Sequence, residues 1–480
     1  GENQNYPIPR FSTIVSNLPF VRFEDLAALN PDVLTKINSF YLNHSIPRKE
    51  RLSGRGDLYT YVPFLIYDLL LPGGYLGVII SNSWLSTESG KSFSHLLRKF
   101  YNIEQIVISG KGRWFHNTDV VTNLLICRKL NVNEQNTDEN KTSFAITNIS
   151  MDDEFDIRDL ATDIINGRST KEKATINTYT TKELKKLQDF GLSLNACFSD
   201  LHWFINSFSR FTSLQDIMNV YRGERRGWDQ LFYPSGSELQ TIEGEFLKPI
   251  LKTNRGAYTY SIQPDSSAFC CNLSMNELIQ KNKVGALNWI KRFENQSNQT
   301  GVPLTEVLRR SNLYWYQMDI SNLADFVLAM NPDSYFMIQK LNEPSFANQR
   351  LICISANPEY REEIDFFHAL FNSTLTYFQI EAIGFGRGLG VLDINSNNIK
   401  NGLHIPKPEF FAKEAKAEII ESFKKVKARH VLPILQELNQ QDRIDLDSLI
   451  IKHSGLNFSI DKLYASMRQL YSIRKAIDRD

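Results

Sequence analysis

The chain has 480 residues, enough for two or three domains and a sizeable core. Lysine plus arginine and aspartate plus glutamate stand at 54 each, so no global cationic field exists and any nucleic-acid surface has to be a local patch. Hydrophobic content of 42% with 22% charged residues describes a soluble globular protein; five cysteines without a Cys-x-x-Cys pair argue against a disulfide framework or a zinc site, and no apolar run approaches the roughly 18 residues that span a bilayer, which together point to a reducing cytoplasm and no membrane.

Near the start, Thr13-Ile14-Val15 is a β-branched run that reads as a buried strand and stops at Ser16-Asn17-Leu18-Pro19-Phe20. Open α/β sheets place their ligands at the carboxyl ends of their strands, where this turn should sit. Such a turn can offer a planar amino group two acceptors, the Asn17 side-chain oxygen and the Leu18 carbonyl, while Pro19 fixes the backbone and Phe20 supplies a flat face. The tetrapeptide alone is equally an ordinary turn. A polar, helix-prone segment follows, ending near Pro47-Arg48-Lys49-Glu50-Arg51; Arg22 and this cluster serve either as phosphate contacts or as a solvated helix face.

Gly54-Arg55-Gly56-Asp57-Leu58-Tyr59 then leads into an apolar helix through Leu70, a Pro72-Gly73-Gly74 turn and a strand over 75–80. Helix, tight turn and near-continuous apolar strand are the αβ unit of a parallel sheet covered on both faces. The strand ends at Ser81-Asn82-Ser83-Trp84, a helix around 92–101 precedes a strand over 103–108, and 114–127 reads as a loop and a closing strand.

In this order the motifs resemble a known family. Asn-x-Pro-Phe, Gly-Arg-Gly-Asp-Leu-Tyr before a helix, Pro-Gly-Gly plus a strand ending Ser-Asn-Ser-Trp-Leu, and Trp114-Phe115-x4-Val120-x-Thr122 resemble motifs IV, V, VI and VIII of the gamma-class adenine-specific DNA methyltransferases of the large restriction-modification type. The resemblance implies the second half of a Rossmann-like methyltransferase sheet and a reaction on an adenine flipped out of duplex DNA. It implies that Asn17, Leu18, Pro19 and Phe20 hold the base, that Phe115 contacts it from the side opposite Phe20, and that Asp57 and Leu58 lie near the adenine pocket of S-adenosylmethionine. Leu18 stands where the family has its first proline. Motif X and the glycine-rich motif I, which make most of that cofactor pocket, come before motif IV in the family, and only about a dozen residues precede it here; an upstream segment or a separate chain would carry them.

Residues 131–200 are mostly polar, with a surface loop over 131–141, a strand over 143–149 and a short helix beginning at Thr180. From about His202 the chain becomes rich in aromatic and basic residues. Tyr221-Arg222-Gly223-Glu224-Arg225-Arg226-Gly227-Trp228-Asp229 combines arginine forks suited to phosphates and guanine edges with glycines that permit close approach, and reads either as a DNA contact or as a glycine turn with solvated arginines. The segment 246–256, with Lys252 and Arg255 as phosphate ligands, and the glycine-rich stretch 381–390, with Arg387, resemble recognition-domain portions of the same family. A glycine loop that binds a cofactor should open a helix, whereas this stretch runs into the strand-like Val391-Leu392-Asp393-Ile394-Asn395. Residues 410–480 look helical, with Pro433 as an interruption.

The expected architecture is therefore α/β: a methyltransferase half-domain over 1–135, a connection over 136–205, a mixed α/β target-recognition domain over 206–409 and a helical region over 410–480. The expected activity is transfer of a methyl group from S-adenosylmethionine to the adenine amino group in a specific DNA sequence, with double-stranded DNA and a fused or separate restriction nuclease among the partners, in bacterial or archaeal cytoplasm. A DNA-specificity subunit that keeps a degenerate methyltransferase scaffold is the alternative, favoured by Leu18 and the missing motif I.

Overall fold

A computed structural model describes residues 8–115, 120–150, 153–225, 227–318, 323–386 and 390–476. The chain divides into two units: residues 1–209, 378–393 and 457–480 form the first, and residues 210–377 and 394–456 the second. The four segments expected from the sequence do not map singly onto these units, because 410–480 is shared between them and the glycine-rich stretch folds with the first.

Strand β1 (Phe11–Asn17) leads through helices α1 (Phe23–Leu29) and α2 (Val33–Asn43) toward β2 (Leu70–Ser81). The apolar helix expected before β2 is broken into short turns, among them α3 (Val62–Leu65) with Pro63 near its start. Helix α4 (Glu88–Phe100), capped by the Thr87 hydroxyl accepting from Gly90 N, buries Phe93, Leu96, Leu97 and Phe100 and delivers the chain to β3 (Tyr101–Ser109). Then come β4 (Thr122–Lys129), β5 (Lys141–Thr147), α5 (Ile157–Ile165), β6 (Ala174–Thr180) and α6 (Thr181–Asp189). The strands form one six-stranded sheet in the order β1-β2-β4-β3-β5-β6. Pairs β1·β2 and β3·β5 are parallel, and β4 runs antiparallel between β2 and β3.

Two expectations change here. The first strand is not buried: β1 is an edge strand, and Val15 is 76% exposed. Pro72-Gly73-Gly74 does not precede β2 but bulges out of it, since Phe11 faces Leu70 whereas Thr13 already faces Tyr75. Gly73 adopts φ +75°, which suits a residue without Cβ. On β2, Leu76, Val78 and Ile80 are fully buried and the other face is only half-covered.

In the second unit, β7 (Phe211–Ser213) pairs with a short strand at His404–Pro406. The main sheet uses β8 (Met218–Arg222), β9 (Leu247–Leu251), β10 (Ser261–Ile262), β11 (Ser266–Phe269), β12 (Ala324–Ala329), β13 (Gln339–Ala347) and β14 (Leu351–Ala356), in the order β11-β9-β13-β12-β14-β8 with β10 beside β13. Apolar cores include a cluster around Phe232, Phe269, Trp289 and Phe346. Phe366 and Phe367 are buried. The helices after residue 410 enclose a polar knot: Arg443, fully buried, donates to Glu437 Oε2 at 3.3 Å, Tyr260 Oη at 2.8 Å and Asn372 O.

Candidate active site

The carboxyl ends of β1 and β2 lie side by side, with Asn17 opposite Ile79. Leu18 N donates to Ile79 O at 3.2 Å, and Val21 N donates to Pro19 O at 3.0 Å, closing a three-residue γ-turn centred on Phe20. The Leu18 side chain is buried and roots the turn, while Asn17 and Pro19 are exposed. Among the described residues no hydrogen bond reaches the Asn17 side-chain oxygen or the Leu18 carbonyl, so both acceptors are unengaged there.

Phe20 is half-buried and meets Phe115 edge-on, with ring centroids 6.2 Å apart and planes at 63°. The structure thus brings these two residues together from segments ninety-odd positions apart. Rings that grip a base from opposite faces must lie parallel, so a base can enter between these two only after one ring turns. The preceding Trp114 packs against the cluster of Val107, Leu160 and Ala174 and anchors the loop that carries Phe115.

Gly-Arg-Gly-Asp-Leu-Tyr is stitched to the same turn. Leu58 N donates to Val21 O at 3.0 Å, and Phe23 N, the first residue of α1, donates to Asp57 Oδ1 at 3.1 Å, where the helix end suits a carboxylate. Partial burial pushes the Asp57 carboxyl above its ordinary range, opposed by the Phe23 N–H. Leu58 is buried beside it. A Cβ at Gly56 would sit 2.6 Å from Thr60 Oγ1, so a larger residue there would force the Thr60 side chain to shift. At the end of β2, the Ser81 hydroxyl accepts from Ser83 N at 3.3 Å, and Ser83 Oγ shares a 3.0 Å hydrogen bond with Tyr59 Oη. Burial pushes the Tyr59 phenol up to about 12. Buried Asn123 at the start of β4 donates to Ser81 O at 3.2 Å and to Asn82 Oδ1 at 3.3 Å. Tyr59, Ser83 and Asn123 escaped the sequence reading; a Ser-Asn-Ser run at a strand terminus was the signal for Ser83, and Asn123 carried none.

Residues 8–115, which contain all of this geometry except β4, match the family described as Eco57I restriction-modification methylase. This segment belongs to that methylase family. The chain is 30% identical over 118 residues to the Type II methyltransferase M.BanIII of Aneurinibacillus aneurinilyticus, a match covering 25% of this chain and 18% of that relative. Among solved structures it resembles the Type IIL restriction-modification enzyme MmeI in complex with DNA, with a TM-score of 0.50 and 11% identity over 96% of this chain and 56% of that one. The type IIG restriction endonuclease BpuSI aligns with a TM-score of 0.40 and 14% identity, over 98% of this chain and 54% of that one. The chain spans little more than half the length of these two enzymes.

In the second unit, β8 ends at Arg222, and the loop that follows lies against the β13–β14 turn. Arg222 Nε donates to Gln349 O at 2.8 Å, Glu224 N to Ala347 O at 2.7 Å and Gln349 N to Glu224 O at 3.1 Å. Gly223 is fixed by this contact, since a Cβ would sit 2.2 Å from Asn348 O. The end of β9 reaches the same turn through Asn348 N donating to Leu251 O at 2.9 Å, which brings in Lys252. The Lys252 ammonium lies 5.0 Å from the centre of the Tyr233 ring. Arg222, Arg225 and Arg255 are exposed. Arg226 and Arg387 lie outside the described residues.

The glycine-rich stretch, expected with the recognition segment, instead folds with the first unit. Phe385–Gly386 pairs antiparallel with Leu392–Asp393, and among the described residues the next helix begins only at Ser396. It is held by a buried pair that the sequence did not reveal: Arg474 Nε and Nη2 donate to Glu381 at 2.6 and 3.0 Å, and Nη1 donates to Gly390 O at 2.6 Å. Glu381 and Arg474 line a cavity of about 60 Å³ together with Asn82 and Val121, at the carboxyl edge of the β2–β4 pair.

Proposed function

We propose that the chain is the catalytic and target-recognition portion of a site-specific DNA adenine N6-methyltransferase of a restriction-modification or related phage-defence system, with residues 206–377 and neighbouring segments reading duplex DNA in the cytoplasm. The observation that carries this reading is the pair of unengaged acceptors, the Asn17 side-chain oxygen and the Leu18 carbonyl, at a strand terminus flanked by Phe20 and Phe115. Two such oxygens accept the two hydrogens of an exocyclic amino group. Their pull draws the nitrogen lone pair out of conjugation with the purine ring and aims it outward from the turn, and orientation supplies much of the rate. Phe20 and Phe115 offset part of the few kcal/mol that flipping a base costs, once one ring has turned to stack on it.

S-adenosylmethionine would supply the methyl group. Asp57 fits its adenine end, since only Oδ1 is engaged by Phe23 N and Oδ2 has no partner among the described residues, and buried Leu58 provides an apolar neighbour. Most of that cofactor's pocket is expected from a region carrying motifs X and I, on an upstream segment or another chain.

The test is Asn17→Ala in the enzyme complete with that region. Methyl transfer to duplex DNA should fall by about two to three orders of magnitude, the scale of removing one preorganised polar group from a reacting centre, with DNA affinity unchanged. Transfer at the wild-type rate would remove Asn17 from the site; DNA binding by the wild type without transfer would favour a specificity subunit.

A further inference from the structure

Two separate segments of the second unit converge on the β8 loop, and neither was singled out by sequence. Arg310 reaches the Arg225 carbonyl with its guanidinium, and Leu308 lies 3.6 Å from where a Cβ on Gly227 would be. Arg309 and Arg310 open a tight turn closed by the bridge between Arg310 and Leu313, with Asn312 at φ +64° on its tip. Arg350 leaves the β13–β14 turn next to Gln349, whose carbonyl holds Arg222. Arg222, Arg225, Arg309, Arg310 and Arg350 are all exposed.

Their charges are not compensated. Several other cations of this unit are paired: Arg292 with Glu238, Lys340 with Asp365, Arg361 with Asp325, and Arg429 with Glu437 and Asp442. Among the described residues none of the five converging arginines forms an ion pair with a carboxylate, and backbone carbonyls rather than anions orient Arg222 and Arg310. A carbonyl satisfies one or two of the five N–H donors of a guanidinium and leaves the rest of the fork and the whole charge available. Gathering exposed cations without counter-charges costs folding free energy through mutual repulsion, so such a cluster suits a polyanion. Spacing over three chain segments matches a repeating anion better than a single small one.

We propose that Arg309, Arg310 and Arg350 join Arg222 and Arg225 in one phosphate-binding surface for the backbone of duplex DNA, a surface that spans the β8 loop, the 309–313 turn and the β13–β14 turn. The proposal rests on the reading of the chain as a DNA-acting enzyme. The 309–313 turn meets the β8 loop at Arg225 and the β13–β14 turn meets it at Arg222 and Glu224, so cations gather at both ends of the loop. Because phosphate contacts carry no sequence information, these three side chains set affinity and register and not the site recognised.

The experiment measures the salt dependence of binding by the full chain to a fluorescein-labelled duplex of random sequence. For R309A/R310A/R350A the plot of log affinity against log salt becomes shallower by about 0.9 for each phosphate no longer neutralised, close to three units if all three arginines engage. Replacement of the same residues by lysine restores most of the slope. The triple alanine change at Lys281, Lys291 and Lys425, exposed cations elsewhere on the unit, removes equal charge and leaves the slope near wild type. Thermal melting of each variant verifies folding. If the wild-type chain binds duplex with a steep slope and R309A/R310A/R350A, still folded, keeps it, the extended surface is wrong while DNA binding stands. If the wild-type chain shows no affinity for duplex at low salt, both the surface and the reading beneath it fail.

Discussion

At the scale of single residues, Leu18 shows how a departure from a family pattern can be judged physically. A proline there would remove the N–H that donates to Ile79 O and so would loosen the turn from β2. Leu18→Pro should therefore cost about 1 kcal/mol of stability through the missing hydrogen bond, offset in part by reduced freedom of the unfolded chain, so a urea titration should show a small loss and not a gain. The buried Glu381–Arg474 pair makes a stronger demand. Removing one partner of such a pair leaves an uncompensated charge away from water, and Glu381→Leu should destabilise the first unit by about 3–5 kcal/mol in the same assay. Of these residues the sequence displayed Asn17, Leu18, Pro19 and Phe20, because the candidate turn is contiguous. Glu381 and Arg474 stayed hidden because their relation is made by the fold across 93 positions and leaves no local spacing to read.

At the scale of elements, strands and helices with clear periodicity were legible, and their surroundings were not. Helix α4 and strands β2 and β3 follow from their apolar spacing, whereas the helix expected before β2 breaks where Pro63 and the tight packing of Tyr59 and Phe64 impose short turns. Likewise the helices after 410 could be seen, but not the polar knot they cover. His368, on the helix Ile364–Phe371, is buried against that region and donates from Nε2 to Tyr260 O at 2.8 Å. Burial lowers its pKa from 6.5 to about 3, with Lys427 and Lys340 adding to the effect and the Tyr260 carbonyl and Asp365 opposing it. The folded state thus keeps this imidazole neutral where the unfolded chain binds a proton. Stability contributed in this way is complete above pH 6.5 and falls as pH drops from 6.5 toward 3, by about 1.4 kcal/mol per pH unit. Chemical denaturation of the chain at about pH 7.5 and about pH 5, on either side of the ordinary imidazole pKa, should show this loss. His368→Gln, which retains a donor for Tyr260 O, should lessen it; equal pH dependence in both proteins would assign the loss to carboxylates instead.

At the scale of the whole molecule, the sheet of the first unit ends at β1, and among the described residues no further strand pairs with it there. In the parallel pair with β2, Leu18 N bonds to Ile79 O, and the two-residue alternation of a strand then directs the N–H groups of Ile14 and Ser16 toward β2 and those of Thr13, Val15 and Asn17 toward the open edge. Val15 and Phe11 are exposed on the adjoining face. Parallel strands are ordinarily buried on both faces, and an unpaired, apolar edge invites a further strand. If the region bearing motifs X and I docks there, as the proposed function requires, it adds its strand beside β1. Hydrogen–deuterium exchange resolved to single amides checks this. In the present chain Thr13, Val15 and Asn17 should exchange rapidly while Ile14 and Ser16 are protected, and in the enzyme that includes the further region all five should be slow. Rapid exchange at the three outward amides in that larger protein would place the cofactor half elsewhere and leave Asn17 at an open margin instead of between two halves of a sheet.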